Sequence, residues 1–310
     1  MIENNPLMNF ARKAELSVHL PSNGEWYDDG MIAYTPSNEV EVYPMLPKDE
    51  LMMLNPDALI SGQANIDLIK SCVPSIKEPE KLLYPDANVL FLAIRKATYG
   101  DDITFTTTCP YCEERMKNMS DEEIKREESS ETLSTHSFDL NYEIDDLLRD
   151  ITYLEKEYIV ETKNGLKIYV SPNLISDKLK YSNLSFKYES LLKMFKEYDK
   201  SYEDLAKDDK AKNAITQSYL ELDKINNSMI TEAIVKIQLP DETIVKDKTM
   251  IYEFVTNSSA DLINELNRTI KKLNGYGLTQ TLVMTCPCCH KEWEEKFYGY
   301  NQSDFFGIGS

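Results

Sequence analysis

Two segments, Thr108-Cys109-Pro110-Tyr111-Cys112 and Thr285-Cys286-Pro287-Cys288-Cys289, share one chemistry and one context. Each closes a β-rich run, Thr104 to Thr108 and Thr279 to Thr285, and each is followed by polar residues. Zinc takes four soft ligands in a tetrahedron, and two C-x-x-C turns each supply one edge of it. A proline between the cysteines stiffens each turn. More than half of the 310-residue chain lies between the two pairs, so the site is discontinuous and clamps distant parts of the chain. Closing so long a loop costs about 4–5 kcal/mol. Structural zinc sites release roughly 10–16 kcal/mol on binding, enough to offset that cost. The expected ligands are Cys109, Cys112, Cys286 and Cys289, with Cys288 or His290 as the alternatives to Cys289.

Three rival readings use the same cysteines. A disulfide framework is disfavoured in a reducing cytoplasm. Cys-Pro-Tyr-Cys is also the active-site tetrapeptide of glutaredoxins, where the first cysteine is a low-pKa nucleophile at a helix N-terminus. Here Glu113 and Glu114 follow it and raise a thiol pKa, and a second matched pair goes unexplained. Four unremarkable buried cysteines would not share a spacing. The remaining Cys72 sits among apolar residues and reads as a packed thiol.

Working outward, Val18 to Tyr43 reads as short strands and turns, with Leu20-Pro21-Ser22-Asn23-Gly24 a turn and Asp29-Gly30 a hairpin signal. Pro47-Lys48-Asp49-Glu50 is a helix start, and two short helices are expected near 48–54 and 62–73. Asp86 opens a helix through Val89-Leu90-Phe91-Leu92-Ala93-Ile94 that Gly100 stops; apolar residues on most faces predict its burial. Asn164-Gly165 between Tyr158-Ile159-Val160 and Leu166 to Val170 predicts a two-stranded hairpin. Residues 176–274 read as mostly helical. Leu184, Tyr188, Leu191, Phe195, Tyr198, Tyr202 and Leu205 form one stripe, and Ile215, Tyr219, Leu222, Ile225 and Met229 a second, as in an antiparallel helical pair. Helices near 247–255 and 258–273 follow, with Ser259 in the cap and Gly275 at the stop.

The predicted fold class is α+β: a largely helical body with short antiparallel β hairpins and a discontinuous zinc ribbon joining the two ends of the chain. The predicted regions are 1–99 mixed α/β, 100–119 plus 278–299 zinc ribbon, 120–135 acidic loop, 136–175 β-hairpin, 176–277 helical and 300–310 C-terminal tail.

Composition narrows the function classes. The net charge is −19, from 53 acidic against 34 basic residues, with no Lys/Arg-rich stripe, so protein partners are favoured over nucleic acid. The apolar run Val89 to Ile94 is too short to span a bilayer, and no basic-then-apolar leader begins the chain, so folding in a cytoplasm is expected. Only 10 glycines leave few phosphate-cradling loops, whereas 19 tyrosines suit protein–protein contacts. No phosphate loop, dinucleotide fingerprint, nucleophile elbow or H-E-x-x-H is present, and His19, His136 and His290 lack metal-ligand spacing. A closed four-cysteine zinc site leaves no position for a water nucleophile. No enzyme is expected.

Leu20-Pro21-Ser22, Trp26-Tyr27, Gly30, Val42-Tyr43-Pro44-Met45 and Asp49-Glu50 follow one another in order. Leu92-Ala93-Ile94-Arg95 and Tyr99-Gly100 then precede the first cysteine pair, and Ser303-Asp304-Phe305-Phe306 follows the second. In that order they resemble the baseplate hub subunit family of T-even-like contractile-tailed bacteriophages. The acidic loop and Cys288 depart from the pattern. The resemblance implies a structural and assembly role in the virion's tail baseplate hub, without catalysis. It implies contacts with other hub proteins and the tape-measure protein, in three copies or a multiple. Asp304, Phe305 and Phe306 then read as a partner-binding anchor, or else pack back on their own domain. The alternatives are a zinc-ribbon adaptor acting on nucleic acid and a thiol-disulfide oxidoreductase using Cys109 to Cys112.

Overall fold

A computed structural model describes residues 11–55, 62–117, 137–149, 151–182, 184–185, 209–278, 280–286 and 288–297. The run Val89 to Ile94 organises the first of two apolar cores. It lies in helix α3 (Tyr84–Tyr99), and every residue from Pro85 to Ile94 is buried, so the helix is wrapped on all sides. Strands β1 (Leu16–Val18) and β2 (Val40–Val42), paired antiparallel, pack on it, as does α2 (Gln63–Cys72), while α1 (Pro47–Met53) packs against α2. Asp49 ties α1 to α2, accepting from the Leu46 amide and the Ser71 hydroxyl at 2.8 Å each. Gly100, at φ 93°, ends α3 where the sequence predicts a stop. Cys72 is a buried, packed thiol that accepts from Arg12 Nη2 at 3.3 Å.

At the start of α3 the Asp86 carboxylate is fully buried. It accepts from the Ser22 amide at 2.9 Å and from the Tyr27 hydroxyl at 2.5 Å, and that hydroxyl accepts from the Leu83 amide at 3.0 Å. One carboxylate thus fixes the Leu20-Pro21-Ser22 turn against the helix. Asp29-Gly30 is a turn, with Gly30 at φ 79°, but not the hairpin its sequence suggests: Ile32 bridges to Ile76 instead.

Strand β3 (Asp102–Thr108) pairs antiparallel with β4 (Ser137–Glu143), with helix α4 (Pro110–Lys117) opening after β3 and α5 (Ile144–Arg149) following β4. The second core lies under a four-stranded antiparallel sheet, β5 (Tyr158–Glu161), β6 (Lys167–Val170), β7 (Ile234–Gln238) and β8 (Ile244–Val245), in that order. Helices α6 (Asp209–Ala233), α7 (Lys248–Thr256) and α8 (Ala260–Asn274) supply Ile230, Ile251, Val255, Leu266 and Ile270 to it. Strands β7 and β8 correct the helical reading of 176–277. Ile234, Val235 and Ile237 follow α6 without a break, and β-branched residues favour the sheet. Lys248 caps the end of α6, its Nζ donating to the carbonyls of Thr231, Glu232 and Ile234 at 2.9–3.0 Å. Ser259 caps α8 as expected, accepting from the Leu262 amide.

The two cores meet through buried asparagines. The Asn173 amide donates to Asn274 Oδ1, and Asn274 Nδ2 donates to Asn173 Oδ1, at 2.8 Å each. Asn173 also donates to the Met229 carbonyl at 3.1 Å and accepts from the Tyr84 amide at 2.8 Å. Gly277, at φ 92°, exchanges two backbone hydrogen bonds with Thr152. A last hairpin, β9 (Gln280–Thr285) with β10 (Glu292–Phe297), completes the described chain. The acidic loop at 120–135, the stripe beyond residue 185 up to 208 and the tail at 300–310 lie outside the described residues. Among the described residues no helix is long and apolar enough to cross a membrane.

Candidate metal centre

The first cysteine pair opens a helix. Cys109 stands at the cap of α4, Pro110 takes the first helical position, and the Glu113 amide donates to the Cys109 carbonyl at 3.0 Å. Cys109 and Cys112 therefore face the same way across one helical turn. The second pair lies in the knuckle joining β9 to β10. There the Cys286 amide donates to the Lys291 carbonyl and the His290 amide to the Cys286 carbonyl, at 3.0 Å each. His290 takes the left-handed conformation, φ 56°, that this tight turn requires.

These different turns aim four sulfurs at one point. The Sγ atoms of Cys109, Cys112, Cys286 and Cys289 all lie within 4.8 Å of one another. Cys109 to Cys289 is 3.6 Å and Cys112 to Cys286 is 3.7 Å, far longer than a disulfide. Metal–thiolate bonds of about 2.3 Å in a tetrahedron set sulfur–sulfur edges at about 3.8 Å, so the cage has the size of a single ion. Cys109, Cys112 and Cys286 are buried and Cys289 half-buried. Of the three candidates for the fourth position, the fold brings Cys289 into the group, while Cys288 and His290 stay outside it.

The knuckle also prepares its charge. The amides of Cys288 and Cys289 each point at Cys286 Sγ at 3.4 Å. Burial pushes the Cys286 thiol up, but these amides and the thiols of Cys289 and Cys109 outweigh it, leaving it at about 7. Burial and the neighbouring thiols push Cys112 up, and burial does the same for Cys109. A cation at the centre would reverse that trend by holding all four as thiolates. Lys291 Nζ lies 4.7 Å from the Tyr111 ring centroid, a second contact between the two halves. Trp293 packs against the cysteines.

The ribbon expectation needs correction in its form. The two pairs are not equal knuckles, because one is a helix start, and β3 pairs with β4 while β9 pairs with β10 in a separate sheet. The four sulfurs gather where the start of α4 meets the β9–β10 knuckle. Pro110 followed by Glu113 already carried a helix signature, hidden by the match between the two cysteine spacings. The expected anchor Asp304, Phe305 and Phe306 lies outside the described residues.

A family model described as T4 bacteriophage base plate protein matches residues 13–307, nearly the whole chain. The chain belongs to the T4 bacteriophage base plate protein family. Family membership gives this baseplate protein a structural place in the tail of the phage particle, among other baseplate proteins. No curated protein and no solved structure matches it.

Proposed function

We propose that this baseplate protein is a structural subunit of the central hub, without catalytic activity, and that one structural zinc ion on Cys109, Cys112, Cys286 and Cys289 staples it. The observation that carries the metal reading is the four-sulfur cage built from segments 174 positions apart. Its edges suit zinc, and four cysteines leave no open position for a reacting water. When bound, the ion would supply four bonds that cross-link the helix start after β3 to the β9–β10 knuckle.

The hub reading is supported by the ordered motifs from Leu20 to Gly100, which resemble hub subunits. Its partners are then other hub proteins and the tape-measure protein, with Asp304, Phe305 and Phe306 as the anchor, in three copies or a multiple. No observation favours the nucleic-acid adaptor, and the burial of Cys109 and Cys112 opposes the oxidoreductase.

Native mass spectrometry of the full chain, purified under reducing conditions, tests the metal: one zinc per chain is expected. A metal-free, folded protein would overturn the staple. Electron microscopy of particles carrying a tagged copy tests the hub. Tag density on the tail axis is expected, and density at the baseplate periphery would remove the hub assignment while leaving the family untouched.

A further inference from the structure

The sulfur cage has a second chemistry open to it. Its four cysteines are free thiols. Cys109 faces Cys289 at 3.6 Å and Cys112 faces Cys286 at 3.7 Å. Both couples join one segment to the other, across 180 and 174 positions. A disulfide needs about 2.05 Å between sulfurs, so either couple closes with an approach of about 1.6 Å.

The cage is not equally sheltered on all sides. Cys109, Cys112 and Cys286 are buried, whereas Cys289 is half-buried and the next residue, His290, is exposed. A soluble reagent therefore meets the cage at the knuckle, through Cys289. The amides of Cys288 and Cys289 hold the Cys286 sulfur within the knuckle, while Cys109 faces Cys289 from the other segment.

A soluble disulfide reacts here in two exchange steps. The Cys289 sulfur attacks the reagent, whose S–S bond breaks; a mixed disulfide forms and one small thiol leaves. The Cys109 sulfur then attacks the Cys289 sulfur, closing the Cys109–Cys289 bond and releasing the second small thiol. Two cysteines are oxidised, one soluble disulfide is reduced to two thiols, and the two cysteine protons leave with them.

We propose that the cage, when it holds no metal, is oxidised by a soluble disulfide to a Cys109–Cys289 bond, so that metal or sulfur keeps the two segments joined. The use of such a reserve follows from family membership. A protein of the phage tail leaves the cell that made it, and disulfides form and persist in oxidising surroundings. The inference rests on the sulfur geometry and takes from the metal reading only the protection that a bound ion gives.

The full chain is stripped of metal with a chelator, incubated with oxidised glutathione and digested with trypsin without reductant for mass spectrometry. Trypsin leaves Cys109 and Cys112 in the peptide Ala97–Arg115, and Cys286, Cys288 and Cys289 in Leu273–Lys291. The two peptides are expected to be joined, with fragmentation placing a bond between Cys109 and Cys289. The oxidised chain is expected to melt at a higher temperature than the reduced, metal-free chain. Cys288→Ser, which leaves the cage intact, should give the same joined product. Chain loaded with zinc and treated alike should give the peptides apart. A chain that takes up no zinc yet yields the joined product would sink the zinc reading and support this one. The proposal is overturned if the metal-free chain stays reduced, or if the peptides carry only internal disulfides. A joined product lost in Cys288→Ser would overturn it equally.

Discussion

Asn173 and Asn274, 101 positions apart, exchange two hydrogen bonds of 2.8 Å in a place where both are almost fully buried. They stand where the segment after β6 passes between the two cores, and each satisfies groups the other would leave bare. Asn274→Ala strips a donor and an acceptor at once. A loss of about 2–4 kcal/mol in unfolding free energy is expected from urea denaturation, since buried groups are left unpaired. A change below about 0.5 kcal/mol would show that the cores do not depend on this junction.

Gly277 lies beside the same junction. At φ 92° an added Cβ would stand 2.8 Å from Pro21 Cγ and 3.4 Å from the Pro85 carbonyl. Gly277→Ala therefore combines left-handed strain with a clash against a rigid ring, and about 1–3 kcal/mol of destabilisation is expected. The check is the denaturation midpoint, and an unchanged midpoint would contradict the packing of the Leu20-Pro21-Ser22 turn described above.

Asp86 should leave a signature in pH. Burial, opposed by the bonds from Ser22 and Tyr27, pushes its carboxyl up to about 6. An unfolded aspartate titrates near about 3.9, so the folded chain holds this proton more tightly. The group thus costs about 3 kcal/mol well above pH 6, and the cost shrinks as pH falls, vanishing below the unfolded value. Acidification stabilises through this residue, opposite to a carboxylate in a salt bridge. Between about pH 4.5 and about pH 7.5, wild type should lose about 2 kcal/mol relative to Asp86→Asn. Parallel pH profiles for the two proteins would refute the raised pKa.

The cysteines separate by function. Cys109→Ser, Cys112→Ser, Cys286→Ser and Cys289→Ser should each lose bound zinc and several kcal/mol of stability, whereas Cys288→Ser should keep one zinc per chain. Metal content with thermal melting decides this. Retention of metal in Cys289→Ser, with loss in Cys288→Ser, would reassign the fourth ligand.

Chelation gives a reversible version of the same test. Removing metal from the full chain should lower the melting temperature, and adding zinc back should restore it without oxidant. Recovery only after oxidation would point to disulfides instead.

Local signals made much of this architecture legible. Pro47 and Asp49 announced α1, the all-round apolar run of α3 announced its burial, and Asn164-Gly165 announced the β5–β6 hairpin, observed with Tyr158 opposite Val170. The cysteine spacing announced that four sulfurs would meet. What stayed hidden depended on partners far away in sequence. Ile234 to Gln238 joins the sheet because β6 offers an edge, and α6 stops before it with a cap from Lys248 rather than from a local residue. Spacing alone could not show that Cys109 caps a helix, although the match between the two pairs did favour Cys289 over Cys288 and His290, and Cys289 is the one the fold brings to the other sulfurs. Asp86 looked like an ordinary first-turn acid, and only its contacts with Ser22 and Tyr27 reveal a buried junction.

The long separation of the cysteine pairs has a consequence for biosynthesis. Cys109 and Cys112 emerge from the ribosome first and wait while 174 positions are crossed from Cys112 to Cys286, roughly nine to thirty-five seconds at ordinary elongation rates. A chain cut short before Cys286 can never close the sulfur cage. The cage can therefore take its full form only in chains translated through Cys289.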